Sequence, residues 1–167
     1  MPVDTLTRLA TNVAAGLAAR GETIAVCESS MGGLLSAALV AIPGASGYFL
    51  GSATIYTLTS RKHLLGMDES QLTGVRPATE AYALLCARTI QKKLGSTWAL
   101  AETGATGPDA NPYMDPPGTA WIAITGPKET TLHIETGRHE RENNMWRFAE
   151  LALNGLYEIW QSEGKKP

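Results

Sequence analysis

Short apolar runs alternate along this chain with longer stretches of helical period, and that alternation constrains the fold more than any other feature. Thr23 to Cys27 (TIAVC) and Trp98 to Glu102 (WALAE) are apolar and too short for independent helices, so they read as buried strands. Before the first, Leu6, Leu9, Val13 and Leu17 recur at helical spacing, with Asp4 as a candidate N-cap and Gly21 as the stop. Met31 to Ile42 reads as a helix of small residues ended by Pro43-Gly44. Tyr48 to Thr57 has strand composition, and Ser60 to Leu65 reads as a helical turn or short helix. Thr79 is placed to cap a helix running through Leu94, with Gly95 at its end. Gly104 to Gly118 holds three Gly and four Pro in fifteen residues and reads as a loop. Thr119 to Thr125 and Thr130 to Glu135 read as a hairpin joined through Gly126-Pro127, with His133 turned away from the core face. A last helix from about Arg138 carries Trp146, Ala149, Leu153, Leu156 and Trp160 on one stripe. This order predicts an α/β fold: a three-layer α/β/α sandwich whose mixed sheet is parallel early and antiparallel at the hairpin.

The 167 residues suit one domain, 1–167, with no repeat and no dividing linker. Hydrophobic residues make up 44% and charged residues 18%, which excludes global disorder. A net charge of −2 argues against a nucleic-acid or anionic-membrane partner, since those surfaces need clustered Lys and Arg. The nearest such cluster, Gln91-Lys92-Lys93, reads as a solvated helix end. No secretory signal is evident, and the longest apolar stretch, Leu34 to Ile42, is far short of the ~20 residues needed to span a bilayer. Cys27 and Cys86 have no metal-ligand spacing and read as buried thiols; His63, His133 and His139 share no element. A cytoplasmic protein with no metal and no cofactor is the expectation.

Three segments carry candidate chemistry. Glu28-Ser29-Ser30-Met31-Gly32-Gly33 stands at a predicted strand end running into a helix, where Ser29 reads either as an N-cap or as a nucleophile. Gly32 and Gly33 would let a ligand approach the backbone closely. Thr103-Gly104-Ala105-Thr106-Gly107-Pro108-Asp109 also follows a strand, where α/β sheets bind ligands, yet Gly-Pro loops are commonly only turns. Tyr56 to His63, with Arg61 and Lys62, reads as an anion site or as an exposed basic turn.

Taken together these residues resemble the C-terminal domain of the competence/damage-inducible CinA proteins, which includes the nicotinamide-nucleotide amidases. The family pattern A-E-S-C-T-G-G-L is met by Val26-Cys27-Glu28-Ser29-Ser30-Met31-Gly32-Gly33-Leu34. Ala41 to Phe49 meets D-x-P/A-G-S-S-x-x-F, and Thr54 to Arg61 meets V-T-Y-S-N-x-x-K. S-G-I-A-G-P-x-G and P-V-G-T-V-W are similar to Thr103 to Asp109 and Pro116 to Trp121. The resemblance implies hydrolysis of nicotinamide mononucleotide to nicotinate mononucleotide and ammonia. It implies Ser29 as nucleophile with Tyr56 and Arg61 beside it, and substrate contacts from Ser30, Gly32, Gly33, Gly104, Thr106 and Gly107. Arg141 matches the family's phosphate-side arginine, with Arg138 second.

The chain departs from the family where its base should stand. The family carries lysine at the position of Arg61, and a guanidinium stays protonated where a buried lysine can accept a proton. Met31 and Leu58 also replace polar family residues. Two readings follow: an amidase acting on this or a related pyridine nucleotide amide, or a weakened relative that binds a nucleotide or phosphorylated metabolite as a sensor or scaffold. The missing base predicts that the protein binds a pyridine nucleotide better than it hydrolyses one, and that Arg61→Lys raises turnover. Four Trp and five Tyr, several at element ends, together with the family's habit of associating, predict a homo-oligomer, as a dimer.

Overall fold

The structure is a computed structural model and describes residues 2–163. Strands β1 (Ile24–Glu28), β2 (Phe49–Thr54) and β3 (Trp98–Ala105) run parallel, β4 (Thr119–Thr125) is antiparallel to β3, and β5 (Thr130–Glu135) is antiparallel to β4. They lie in the order β2-β1-β3-β4-β5. Helices α1 (Pro2–Arg20), α2 (Leu34–Val40) and α5 (Arg141–Glu163) pack on one face, α4 (Glu80–Leu94) packs on the other, and α3 (Leu58–Ser60) is a single turn after β2. The predicted three-layer α/β/α sandwich with a mixed sheet is what forms.

The period of two along β1 and β3 assigns each side chain to a layer. Ile24, Val26, Trp98 and Leu100 meet α1, α2 and α5, while Ala25, Cys27, Ala99 and Ala101 meet α4. Small residues on the second face make room for Tyr82 and Ile90 of α4. On the first face, enclosure of Leu17, Leu35 and Leu153 stabilises the fold by roughly 1.5–3 kcal/mol each. Trp98 and Trp160 meet edge-on there, with ring centroids 6.0 Å apart. Two of the four tryptophans invoked for an interface therefore belong to the core. Cys27 and Cys86 are both free and buried, and their mutual hydrogen bond, followed by burial, holds the Cys27 thiol well above its ordinary range.

Several boundaries differ from expectation, each for a local reason. Helix α2 starts at Leu34 rather than Met31, because Gly32 (φ 69°) and Gly33 (φ 104°) turn the chain through the left-handed region. Strand β3 continues to Ala105, so Gly104 lies in the sheet opposite Ala120 instead of in a loop. Long-range pairing with β4 overrides the weak strand preference of glycine there. Asp4 falls within the first turn of α1 rather than before it, and α5 begins at Arg141. Thr79 caps α4 and Gly95 (φ 66°) ends it, as predicted. Among the described residues, no helix is long and apolar enough to cross a membrane.

Candidate functional site

The parallel arrangement brings the carboxyl ends of β1, β2 and β3 together, and the segments that leave them enclose a cavity of about 720 Å³. That lies within the ~300–1,000 Å³ usual for small-molecule sites. Ser29 and Ser30 line it from β1, Tyr56 from β2, and Gly104, Thr106 and Gly107 from β3 and its loop.

Two buried carboxylates shape the turn that carries the serines. Glu28 accepts the backbone N–H groups of Gly33 (3.0 Å), Leu35 (3.1 Å) and Ser36 (2.9 Å), capping α2 from within. Glu102, across the sheet on β3, accepts the N–H groups of Ser29 (3.1 Å) and Met31 (2.9 Å) and the Ser30 hydroxyl. Burial pushes the Glu102 carboxyl up to about 7 against the three hydrogen bonds that favour its anion; nearby Glu28 adds to the rise. The Gly33 N–H, expected to face a ligand, is thus spent on Glu28, and the Gly32 N–H goes to the Ser29 carbonyl at 3.2 Å. Neither glycine lines the cavity.

The opposite wall is tied down from α5. Arg141 donates through Nη1 to the Gly107 carbonyl and through Nη2 to the Tyr56 hydroxyl, both at 2.8 Å. Asn144, fully buried, donates through Nδ2 to the carbonyls of Thr106 and Arg138, each at 2.9 Å, and accepts from Thr136 Oγ1 at 2.7 Å. Gly107 has φ 105°, and an added Cβ would stand 2.6 Å from the His139 carbonyl oxygen. Only glycine closes that turn. Behind Thr103, whose Oγ1 accepts the Ala78 N–H at 2.9 Å, Ala78 is held at φ 58°. The rim from Asn111 to Asp115 is clamped by Arg76, which donates to both Asp115 oxygens at 2.7 and 2.9 Å.

Arg61 is a correction. It does not share the cavity of Ser29 but lines a second one with Lys62, His63 and Glu69. The segment Arg61–Leu65 coils as a π-helical turn that buries its first and last residues and exposes those between. The Arg61 guanidinium therefore lies inside, donating to Glu69 at 3.2 Å and close enough to the Tyr82 phenol to act on it electrostatically. Burial and then the Cys86 thiol raise the Tyr82 phenol, with Arg61 opposing. Among the described residues, no protein group bonds Ser29 Oγ.

A profile of the CinA C-terminal domain matches residues 6–160. The chain belongs to the CinA C-terminal domain family. A CinA-like protein of Gloeobacter violaceus is 40% identical over 122 residues, covering 73% of this chain and 29% of the relative. One from Prochlorococcus marinus is 33% identical over 152 residues, 89% of this chain and 36% of that protein. The chain thus spans about a third of the length of these curated relatives. The crystal structure of a competence-damaged protein (CinA) superfamily protein of Escherichia coli superposes with TM-score 0.86 at 22% identity, covering 93% of this chain and 91% of that one. The competence damage-inducible protein A of Klebsiella pneumoniae gives TM-score 0.85 at 25% identity, covering 92% and 95%.

In this CinA domain Glu102, Asn144 and the Arg76–Asp115 clamp lie outside the three segments that the sequence singles out. A carboxylate closing an otherwise apolar strand, WALAE, was the available signal for Glu102. Asn144 and Asp115 carried none, because their partners lie on other elements.

Proposed function

We propose that this CinA domain hydrolyses the carboxamide of nicotinamide mononucleotide, or of a related pyridine nucleotide amide, to the carboxylate and ammonia. The observation that carries the reading is the position of Arg141, exposed at a nucleotide-sized cavity whose far wall holds two serines. Ser29 occupies the position that matches the family's nucleophile, and Ser30 stands beside it. Arg141 spends two N–H groups on Gly107 and Tyr56, and its guanidinium retains others for a phosphate. Serine attack on the carboxamide carbon forms a C–O bond and moves charge onto the carbonyl oxygen; each well-placed donor there contributes about 3 kcal/mol. Collapse expels the amine as ammonia, and water then releases the acid.

The free Ser29 hydroxyl favours a second reading, a non-catalytic relative that holds a nucleotide or phosphorylated metabolite as a sensor. Ammonia release measured across a panel of nucleotide amides, with both cavity serines changed to Ala as the blank, separates the two. Release above the blank supports the amidase. Calorimetric binding without release supports the sensor.

Association with a second copy is also proposed. Strand β2 is an open sheet edge bearing Leu50, 42% exposed, with Leu94 of α4 against neighbouring Gly51 and itself 39% exposed. Light scattering at micromolar concentration is expected to report a dimer, and a monomer mass refutes it.

A further inference from the structure

Ser30 and Glu102 form a bonded pair at the cavity wall whose chemistry the family resemblance does not supply. Glu102 is 1% exposed and sits in the middle of β3 directly after Ala101, the partner of Cys27, so it lies across from Glu28 with the apolar run Trp98 to Ala101 before it. Its Oε2 is pinned by the Ser29 and Met31 N–H groups. Pinning one oxygen fixes the plane of the carboxylate and leaves Oε1 to the Ser30 hydroxyl, which donates to it. Ser30 in turn lines the cavity. The arrangement is a hydroxyl hydrogen-bonded to a base that a third set of groups holds in place, the arrangement an activated nucleophile requires. Ser29 has no such partner, and Arg61, Lys62 and His63 all line the other cavity.

We propose that Ser30 is the hydroxyl this site activates and that Glu102 is the base that takes its proton. The substrate assignment rests on the amidase reading above; the pair itself does not. As Ser30 Oγ bonds to the carboxamide carbon, its proton passes to Glu102 Oε1 and the carbonyl π pair moves onto oxygen. When the C–N bond breaks, that proton leaves with the amine as ammonia. A water molecule then attacks the ester carbon, gives one proton to Glu102, and the acid departs as Ser30 Oγ takes that proton back. One amide and one water become one acid and one ammonia.

Glu102 suits a base near neutral pH because burial disfavours its anion while the N–H groups keep that anion accessible. The charged or titratable groups acting on it are Glu28 and Cys27 of β1. Strand β4 sets Ile122 opposite it, the 29–31 turn contributes two N–H groups and a hydroxyl, and Arg141 of α5 directs its guanidinium to Tyr56 and Gly107.

The test uses the full chain and an alkyl fluorophosphonate, which forms a P–O bond with an activated serine and releases fluoride. Peptide mass spectrometry locates the adduct, and its rate is followed between about pH 5 and 9. The expected result is an adduct on Ser30 whose rate rises through a midpoint near the Glu102 value of about 7. Ser30→Ala removes the adduct, and Glu102→Gln slows its formation at least about 100-fold. Should Glu102→Gln fail to fold, the adduct site and pH profile of the unaltered protein decide alone. An adduct on Ser29, no adduct on either serine, or a Ser30 rate indifferent to pH overturns the proposal. Labelled Ser30 with no ammonia from any nucleotide amide leaves the pair standing and removes the amidase reading. Ammonia release undiminished in Ser30→Ala does the reverse.

Discussion

Arg141 and Tyr56, 85 residues apart in the chain, meet at 2.8 Å and join the start of α5 to the end of β2. The guanidinium lies 5.9 Å from the Tyr56 ring centroid, and its other arm reaches the Gly107 carbonyl. One side chain therefore ties two cavity walls while remaining exposed.

Arg141→Ala is expected to raise KM for a nucleoside-monophosphate amide roughly 10–100-fold, the scale of one charge-assisted hydrogen-bond set, and to lower kcat less. The unphosphorylated nucleoside should be affected far less. Steady-state kinetics on the pair of substrates measures this, and equal losses on both would sink the phosphate role.

Glu102 predicts a pH-dependent stability. Its folded pKa of about 7 lies above the ordinary 4.5, so the folded chain binds this proton more tightly than the unfolded chain. The stabilisation linked to it is complete below about pH 4.5 and disappears as pH rises through 7. Relative to Glu102→Gln, the unaltered protein should lose about 3 kcal/mol over that window. Urea melts of both proteins at several pH values test it, and a constant difference would contradict it.

Asn144→Ala would strand the Thr106 and Arg138 carbonyls and the Thr136 hydroxyl. The expected cost is about 1–3 kcal/mol in a denaturant melt, with weakened ligand binding because the Thr106–Gly107 turn loses its anchor. Gly107→Ala should weaken binding as well, since its Cβ would collide with the His139 carbonyl.

Arg61→Lys is expected not to rescue turnover. The side chain sits in the second cavity, turned to Glu69 and Tyr82. Any change in kcat should fall well below the ~100-fold that supplying a missing base would bring. A 100-fold gain would return residue 61 to the reacting centre.

Much of this protein was readable residue by residue. The helices announced themselves by periodicity and by Thr79 and Gly95 at the ends of α4, and β1 by its apolar run. Those signals act between residues a few positions apart, so they survive without a fold. The cavity's position followed from three glycine- or tyrosine-bearing segments at strand ends, which a parallel sheet must place side by side. The orientation of residue 61 was not readable, because it turns on whether the backbone winds as an α or a π turn. Nor was the Ser30–Glu102 bond, whose partners stand 72 positions apart. Local sequence determined which elements form and which of their faces are apolar. Only the tertiary structure decided which polar groups meet, because strand register and helix packing bring together residues that share no local signal.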